Sequence, residues 1–237
     1  MSKSDKLIVA LDVSSIAQAE RLVKLLSPLV AVFKVGNELF TAQGPSVIQM
    51  IHSHRSKVFL DLKYHDIPNT VGSACEAAVR HKVFMLNIHT LGGKQMMFQA
   101  VQSVHRTAAE LGFEPPRLLG VTVLTSMKDN DLKEIGIGKK LEKEVAHLAG
   151  LAKACGLDGV VASAHEIEMI RKKTDKDFLI VTPGVRPVWA AHGDQKRVMT
   201  PKEAIEKGAN FIVVGRPITQ SPSPLEAAEK VLTEINN

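Results

Sequence analysis

The sequence predicts a single closed (β/α)8 barrel spanning residues 1–237. Three observations carry that reading. Short apolar, β-branched runs alternate from end to end with longer amphipathic stretches. There are eight such pairs, and no linker or low-complexity tract divides them. Regular βα alternation gives a parallel sheet in one α/β domain. Eight units allow that sheet to close, with an open doubly wound sheet as the competing arrangement. The 237 residues suit a barrel, which typically takes about 250.

The elements follow in order. LIVALD (7–12) is the first strand, and IAQAERLVKLL after it has apolar residues at helical spacing. AVFKVG (31–36) is the second, followed by PSVIQMIHSH. KVFLDLK (57–63) leads to TVGSACEAAVRH, and VFMLNIHT (83–90) to KQMMFQAVQSVHRTAAEL. RLLGVTVLT (117–125) is followed by a long loop, 126–140, and then LEKEVAHLAGLAKAC. GVVAS (159–163) precedes AHEIEMIRKK. FLIVTPGV (178–185) runs into a second long loop, 184–199, before TPKEAIEKG. FIVVGR (211–216) and SPLEAAEKVLTEI close the series. Each strand candidate is almost continuously apolar, as expected of parallel strands covered on both faces. Thr200, Pro201 and Glu203 read as an N-cap, a first-turn proline and a capping-box acid, and Gly208 as the glycine ending that helix. The two long loops follow strand C-terminal ends, where barrels hold their active sites, so both are lid candidates. The second contains Trp189, the only tryptophan.

Composition sets further expectations. Cys75 and Cys155 form no CxxC pair and read as small buried thiols. Met96 and Met97 fall on a helix and read as core or interface. The histidines show no convincing metal-ligand spacing, and no metal or cofactor is expected. The N-terminus lacks a signal-peptide pattern, and no apolar run approaches the roughly 20 residues of a membrane span, so a cytoplasmic protein is expected. Net charge is +5, yet the basic residues are scattered among acids and aromatics make up only 4%. That argues against nucleic acid and suits a small phosphorylated anion.

The chemistry concentrates in DLKYHDIPNT (61–70). Alternation along a strand puts Asp61 and Lys63 on one face, which in a barrel points inward at the catalytic mouth. A buried salt bridge with no function is the plain alternative for a lone D-x-K. Asp12 ends the first strand, however, and Lys34 lies on the second, with Asp66 just beyond the third. Alternating signs favour the charged form of each group, and four charges at adjacent strand ends favour function over structure. At the other side of the ring, Gly215 permits close approach of a ligand, and Arg216 and Arg186 supply cations after the last two strands, where such barrels bind phosphate.

These residues carry a resemblance. The chain resembles the bacterial orotidine 5′-phosphate decarboxylases over essentially its whole length. The matching segments include ALD (10–12), FKVGNELF (33–40), FLDLKYHDIPNTV (59–71), NIHTLGGKQMM (87–97), VTPGVRP (181–187), DQKRVMTP (194–201) and IVVGRPIT (212–219). The D-x-K-x-x-D-I-P-x-T motif is the specific one. The resemblance implies decarboxylation of orotidine 5′-phosphate to uridine 5′-phosphate without a cofactor, the last step of de novo UMP synthesis. It makes Lys63 the proton donor to C6 and Asp61 the carboxylate beside the leaving group. Asp66, with Thr70 close by, reaches into the partner's site of a homodimer. Asp12 and Lys34 bind ribose and complete the charge network. Thr125 binds substrate, with Ser126 beside the base, and Arg186, Gln195, Gly215 and Arg216 grip the phosphate. His65 receives no proton-transfer role, and His89 is expected to support the site from behind. The alternative is a magnesium-dependent phosphosugar decarboxylase or synthase of the same barrel superfamily, which shares the D-x-K-x-x-D core. A catalytically silent nucleotide-binding barrel is the non-enzymatic alternative.

Overall fold

The computed structural model describes residues 4–190 and 199–236. The expected alternation is present. β1 (Ser4–Ala10) leads through α1 (Ile16–Leu26) to β2 (Val30–Gly36), and α2 (Asn37–Gln43) and α3 (Ser46–Ser53) lead to β3 (Lys57–Tyr64). α4 (Pro68–Arg80), β4 (Met85–His89), α5 (Gly93–Leu111) and β5 (Arg117–Val121) follow. Next come α6 (Asp129–Glu134), α7 (Leu141–Ala154), β6 (Gly159–Val161), α8 (Ile167–Arg171) and β7 (Leu179–Pro183). α9 (Pro201–Glu206), β8 (Phe211–Val214), α10 (Arg216–Thr219) and α11 (Pro224–Asn236) complete the chain.

All eight strands are parallel and joined in sequence order, and β8 pairs with β1 to close the ring. Closure leaves no open sheet edge. Two apolar layers result. Ile8, Val32, Phe59, Met85, Leu119, Val181 and Val213 fill the barrel interior. A larger shell, including Val9, Phe33, Leu60, Leu86 and Ile212, packs the outward strand faces beneath the helices. This two-sided burial explains why the strands read as unbroken apolar runs. β6 can lie close against β7 only because Gly159 has no side chain; a Cβ there would stand 2.2 Å from the Leu179 carbonyl oxygen.

The structure redraws several boundaries. β5 stops at Val121, four residues before the sequence pattern fades, because Thr122–Thr125 turn out of the ladder toward the mouth. Similarly, β8 ends at Val214, and Arg216 opens α10 instead of ending the strand. NELFTAQ, too short to show a clear helical period, forms α2 ahead of the expected helix. The 126–140 loop contains one short helix, α6. α9 has the expected cap: Thr200 Oγ1 accepts from the Glu203 amide at 3.2 Å, and the Glu203 carboxylate accepts from the Thr200 amide at 2.8 Å. Gly208 beyond it takes φ 109°, a conformation that favours glycine. Cys75 and Cys155 are buried free thiols, and burial pushes the Cys75 thiol up to about 12. Met96 and Met97 are fully buried core. Among the described residues no helix is long and apolar enough to cross a membrane.

Candidate active site

The C-terminal ends of the strands open into a cleft of about 340 Å³. Of the residues singled out from sequence, Asp12, Lys34, Asp61, Lys63, Thr125, Arg186, Gly215 and Arg216 line it. Most come from β7, β8, β1, β2 and β3 or the turns just after them, which are consecutive around the ring, and Thr125 follows β5.

The charged residues form a continuous chain. Lys34 Nζ lies 3.1 Å from Asp12 Oδ1 and 3.3 Å from Asp61 Oδ2. Lys63 Nζ lies 2.7 Å from Asp61 Oδ1. Asp61 and Lys34 are nearly buried, with 12% and 11% of their side chains exposed, whereas Lys63 keeps 28% and faces the cleft. Removing one member of such a buried set leaves its partner uncompensated, typically at 3–5 kcal/mol. Gly36 makes room for the set, since a Cβ there would stand 2.9 Å from Lys34 Nζ.

Local backbone geometry aims the pair. Phe59, Asp61 and Lys63 share the inward phase of β3, as alternation predicts, but the strand is not regular. Leu60 pairs with Leu86 and Tyr64 with Ile88, so the segment Asp61–Lys63 bulges opposite Asn87. Lys63 sits at φ 53°, left-handed backbone that a non-glycine residue adopts only under constraint. Sequence reading passed over Asn87, which is fully buried at this point. Its Oδ1 accepts from the Lys63 amide at 2.8 Å, and its Nδ2 donates to Asp61 Oδ1 at 2.7 Å. A signal was available: Asn87 is the polar residue in an apolar strand, in phase with inward Met85.

Across the mouth, Arg186 and Arg216 belong both to this cleft and to an adjoining hollow of about 430 Å³ that includes Trp189, Gln220 and Ser221. A Cβ at Gly215 would come within 3.4 Å of both Ala10 Cβ and Asp12 Oδ2 and would fill the cleft wall. Trp189 packs beside α11, with Lys230 Nζ 5.8 Å from its ring centroid. Gln195 lies outside the described residues, as does the 191–198 part of the expected lid.

Asp66, Thr70 and Ser126 do not line the cleft. Asp66 and Thr70 are exposed at the start of α4, where Asp66 Oδ1 accepts from the Ile67 amide at 2.6 Å. Exposed Ile67 occurs on the same segment, exposed Leu91 in the turn just before α5, and exposed Phe98 on α5. His89 lies against His65 with ring centroids 5.5 Å apart and planes tilted by 39°. Burial, with help from His65 and Lys63, holds the His89 imidazole below its ordinary value, and its Nδ1 is buried with no hydrogen-bond partner among the described residues. That shift favours the neutral ring.

Comparison with known proteins identifies the family. Residues 5–231 match the model of the "Orotidine 5'-phosphate decarboxylase / HUMPS family". A protein of Moorella thermoacetica named orotidine 5'-phosphate decarboxylase is 50% identical over 236 residues, covering 99% of this chain and 94% of that one. One of the same name from Syntrophotalea carbinolica is 52% identical over 230 residues, covering 97% and 94%. The crystal structure of the Lactobacillus acidophilus orotidine 5'-phosphate decarboxylase superposes with a TM-score of 0.87 at 37% identity, covering 99% of this chain and all of that one.

Proposed function

The chain belongs to the orotidine 5′-phosphate decarboxylase / HUMPS family, and on that premise we propose how its cleft converts orotidine 5′-phosphate to uridine 5′-phosphate and carbon dioxide. The single observation that supports the mechanism is the Lys34–Asp61–Lys63 chain at the cleft floor.

The phosphate lies against Arg186, Arg216 and the Gly215 backbone, with Gln195 completing the grip. Guanidinium groups suit this task because their planar forks match phosphate oxygens. Asp12 and Lys34 hold the ribose, and Thr125 borders the pyrimidine. This places C6 over Lys63. The bond from C6 to its carboxylate carbon breaks, carbon dioxide leaves, and the electron pair stays on C6. That pair takes a proton from Lys63 Nζ, which is left as a neutral amine and regains its proton from solvent. The carbanion has no cofactor to delocalise into, so preorganised positive charge stabilises it. Asp61 keeps the ammonium aimed and compensates its charge between turnovers. Phosphate binding far from C6 supplies energy for orienting the ring.

We place Asp66 and Thr70 in the partner's site of a homodimer. Their exposure at the mouth and the apolar Ile67, Leu91 and Phe98 around them support this, because grouped exposed apolar side chains suit an interface. Residues 1–237 act as one catalytic domain in the cytoplasm, without cofactor or metal.

Loss of orotidine 5′-phosphate absorbance, with uridine 5′-phosphate as product, tests the reading in the presence of a metal chelator. Full activity is expected. Activity abolished by the chelator would favour the magnesium-dependent phosphosugar type of reaction. Binding of uridine 5′-phosphate with no turnover would mark a silent barrel.

A further inference from the structure

We propose that Asn87 is a positioning residue for the reacting pair, holding the backbone of Lys63 and the carboxylate of Asp61 from one buried amide. The proposal rests on the reading of Lys63 as proton donor and goes beyond it, since Asn87 would act through these two residues without touching substrate.

The bulge in β3 creates the need. Asp61, Leu62 and Lys63 face Asn87 alone, so regular ladder pairing to β4 is interrupted at the point where the reactive lysine leaves the strand. Lys63 also takes a left-handed conformation, φ 53°, which a non-glycine residue keeps only where surrounding contacts impose it. The bond from the Lys63 amide to Asn87 Oδ1, at 2.8 Å, replaces the missing ladder bond and fixes that conformation.

The other end of the amide fixes the carboxylate. Asp61 Oδ1 accepts from both Asn87 Nδ2 and Lys63 Nζ, each at 2.7 Å, while Oδ2 turns to Lys34 at 3.3 Å. These two hydrogen bonds and the ion pair hold the Asp61 carboxylate in this orientation. Its partners also fix the amide's own orientation, because a backbone N–H requires the oxygen and a carboxylate requires the NH2 group. An asparagine supplies acceptor and donor from one short planar group. An ionised aspartate keeps the acceptor and loses the donor, and an alanine loses both. Because Asn87 is fully buried, a lost bond leaves its former partner away from bulk water.

The test measures kcat and KM for orotidine 5′-phosphate, and the Kd for uridine 5′-phosphate, across pH. It uses wild type, Asn87→Ala, Asn87→Asp and Lys63→Ala, with circular dichroism of each. Asn87→Ala is expected to lose about 100-fold in kcat, the scale of an ångström-level misplacement, with product affinity near wild type. Asn87→Asp is isosteric and keeps the reading decisive if the alanine variant does not fold. Its new carboxyl faces Asp61 and Lys63 on β3, Lys34 through Asp61, and His89 farther along β4. When protonated it can donate to Asp61, and when ionised it repels it. Its kcat should therefore fall with rising pH over a range where wild type does not. A purely structural role moves thermal stability and leaves the pH profile parallel to wild type; that result, or wild-type kcat in Asn87→Ala, would overturn the proposal. Lys63→Ala separates the two levels. If it is inert while Asn87→Ala runs at full rate, only the positioning role fails. If it turns over normally, the proton-donor reading fails and takes this proposal with it.

Discussion

Asp61 has three partners, each from a different place: Lys63 of its own strand and Asn87 of β4 donate hydrogen bonds to it, and Lys34 of β2 forms an ion pair with it. The lysines were legible because charges in apolar strands are expensive and therefore conspicuous. Asn87 was not, because an uncharged amide in an apolar run looks like a tolerated polar residue until its partners are known. Gln195 illustrates another limit, since its assigned role rests on motif resemblance alone. The arginines carry a simple prediction. If Arg216 grips phosphate, Arg216→Ala removes a charge-assisted hydrogen bond worth about 1.5–3 kcal/mol. KM for orotidine 5′-phosphate should then rise roughly 10- to 100-fold, and a phosphate-free nucleoside substrate should be handled equally by both proteins. Unchanged KM would remove Arg216 from the site.

At the scale of elements, existence was easier to read than extent. All eight strands were visible as apolar runs, yet β5 and β8 end earlier than their patterns because the chain must turn outward to build the mouth. α9 was readable from its cap chemistry, whereas α2 spans only Asn37–Gln43 and has too few turns to show a period. The β3 bulge could not be read, because it depends on the register of β3 against β4 and not on either strand alone. The turn after β6 carries a pH prediction. Glu166 is buried there and accepts from the Ser163 amide at 2.8 Å, and burial raises its carboxyl to about 7 against that hydrogen bond. A carboxyl raised on folding favours the protonated native state. Its contribution is complete below the ordinary value of 4.5 and is lost as pH rises through about 7. Glu166→Gln keeps the acceptor and cannot ionise. It should therefore melt several degrees higher than wild type at pH 8, on the order of 2–3 kcal/mol, with the difference vanishing near pH 4. Equal melting temperatures at pH 8 would show that Glu166 finds compensation in the turn.

For the whole molecule, barrel closure brings Asp12, Lys34, Asp61 and Lys63 together with Arg186 and Arg216 across one cleft. Closure was legible from the count of βα units, whereas the homodimer expectation came from the family resemblance alone. If sites are shared between subunits, mixing inactive Lys63→Ala with Asp66→Ala chains should restore activity. Hybrid dimers would hold one site free of both substitutions, so about a quarter of wild-type activity should return after subunit exchange. No recovery would place Asp66 in its own subunit's site. The account depends above all on an ammonium held where the carbon anion forms. The most direct measurement is kcat of Lys63→Ala at saturating orotidine 5′-phosphate, with fold and product binding verified. A loss on the order of 10⁴-fold or more is predicted, combining proton donation with charge stabilisation. Turnover near that of the unmodified enzyme would contradict it.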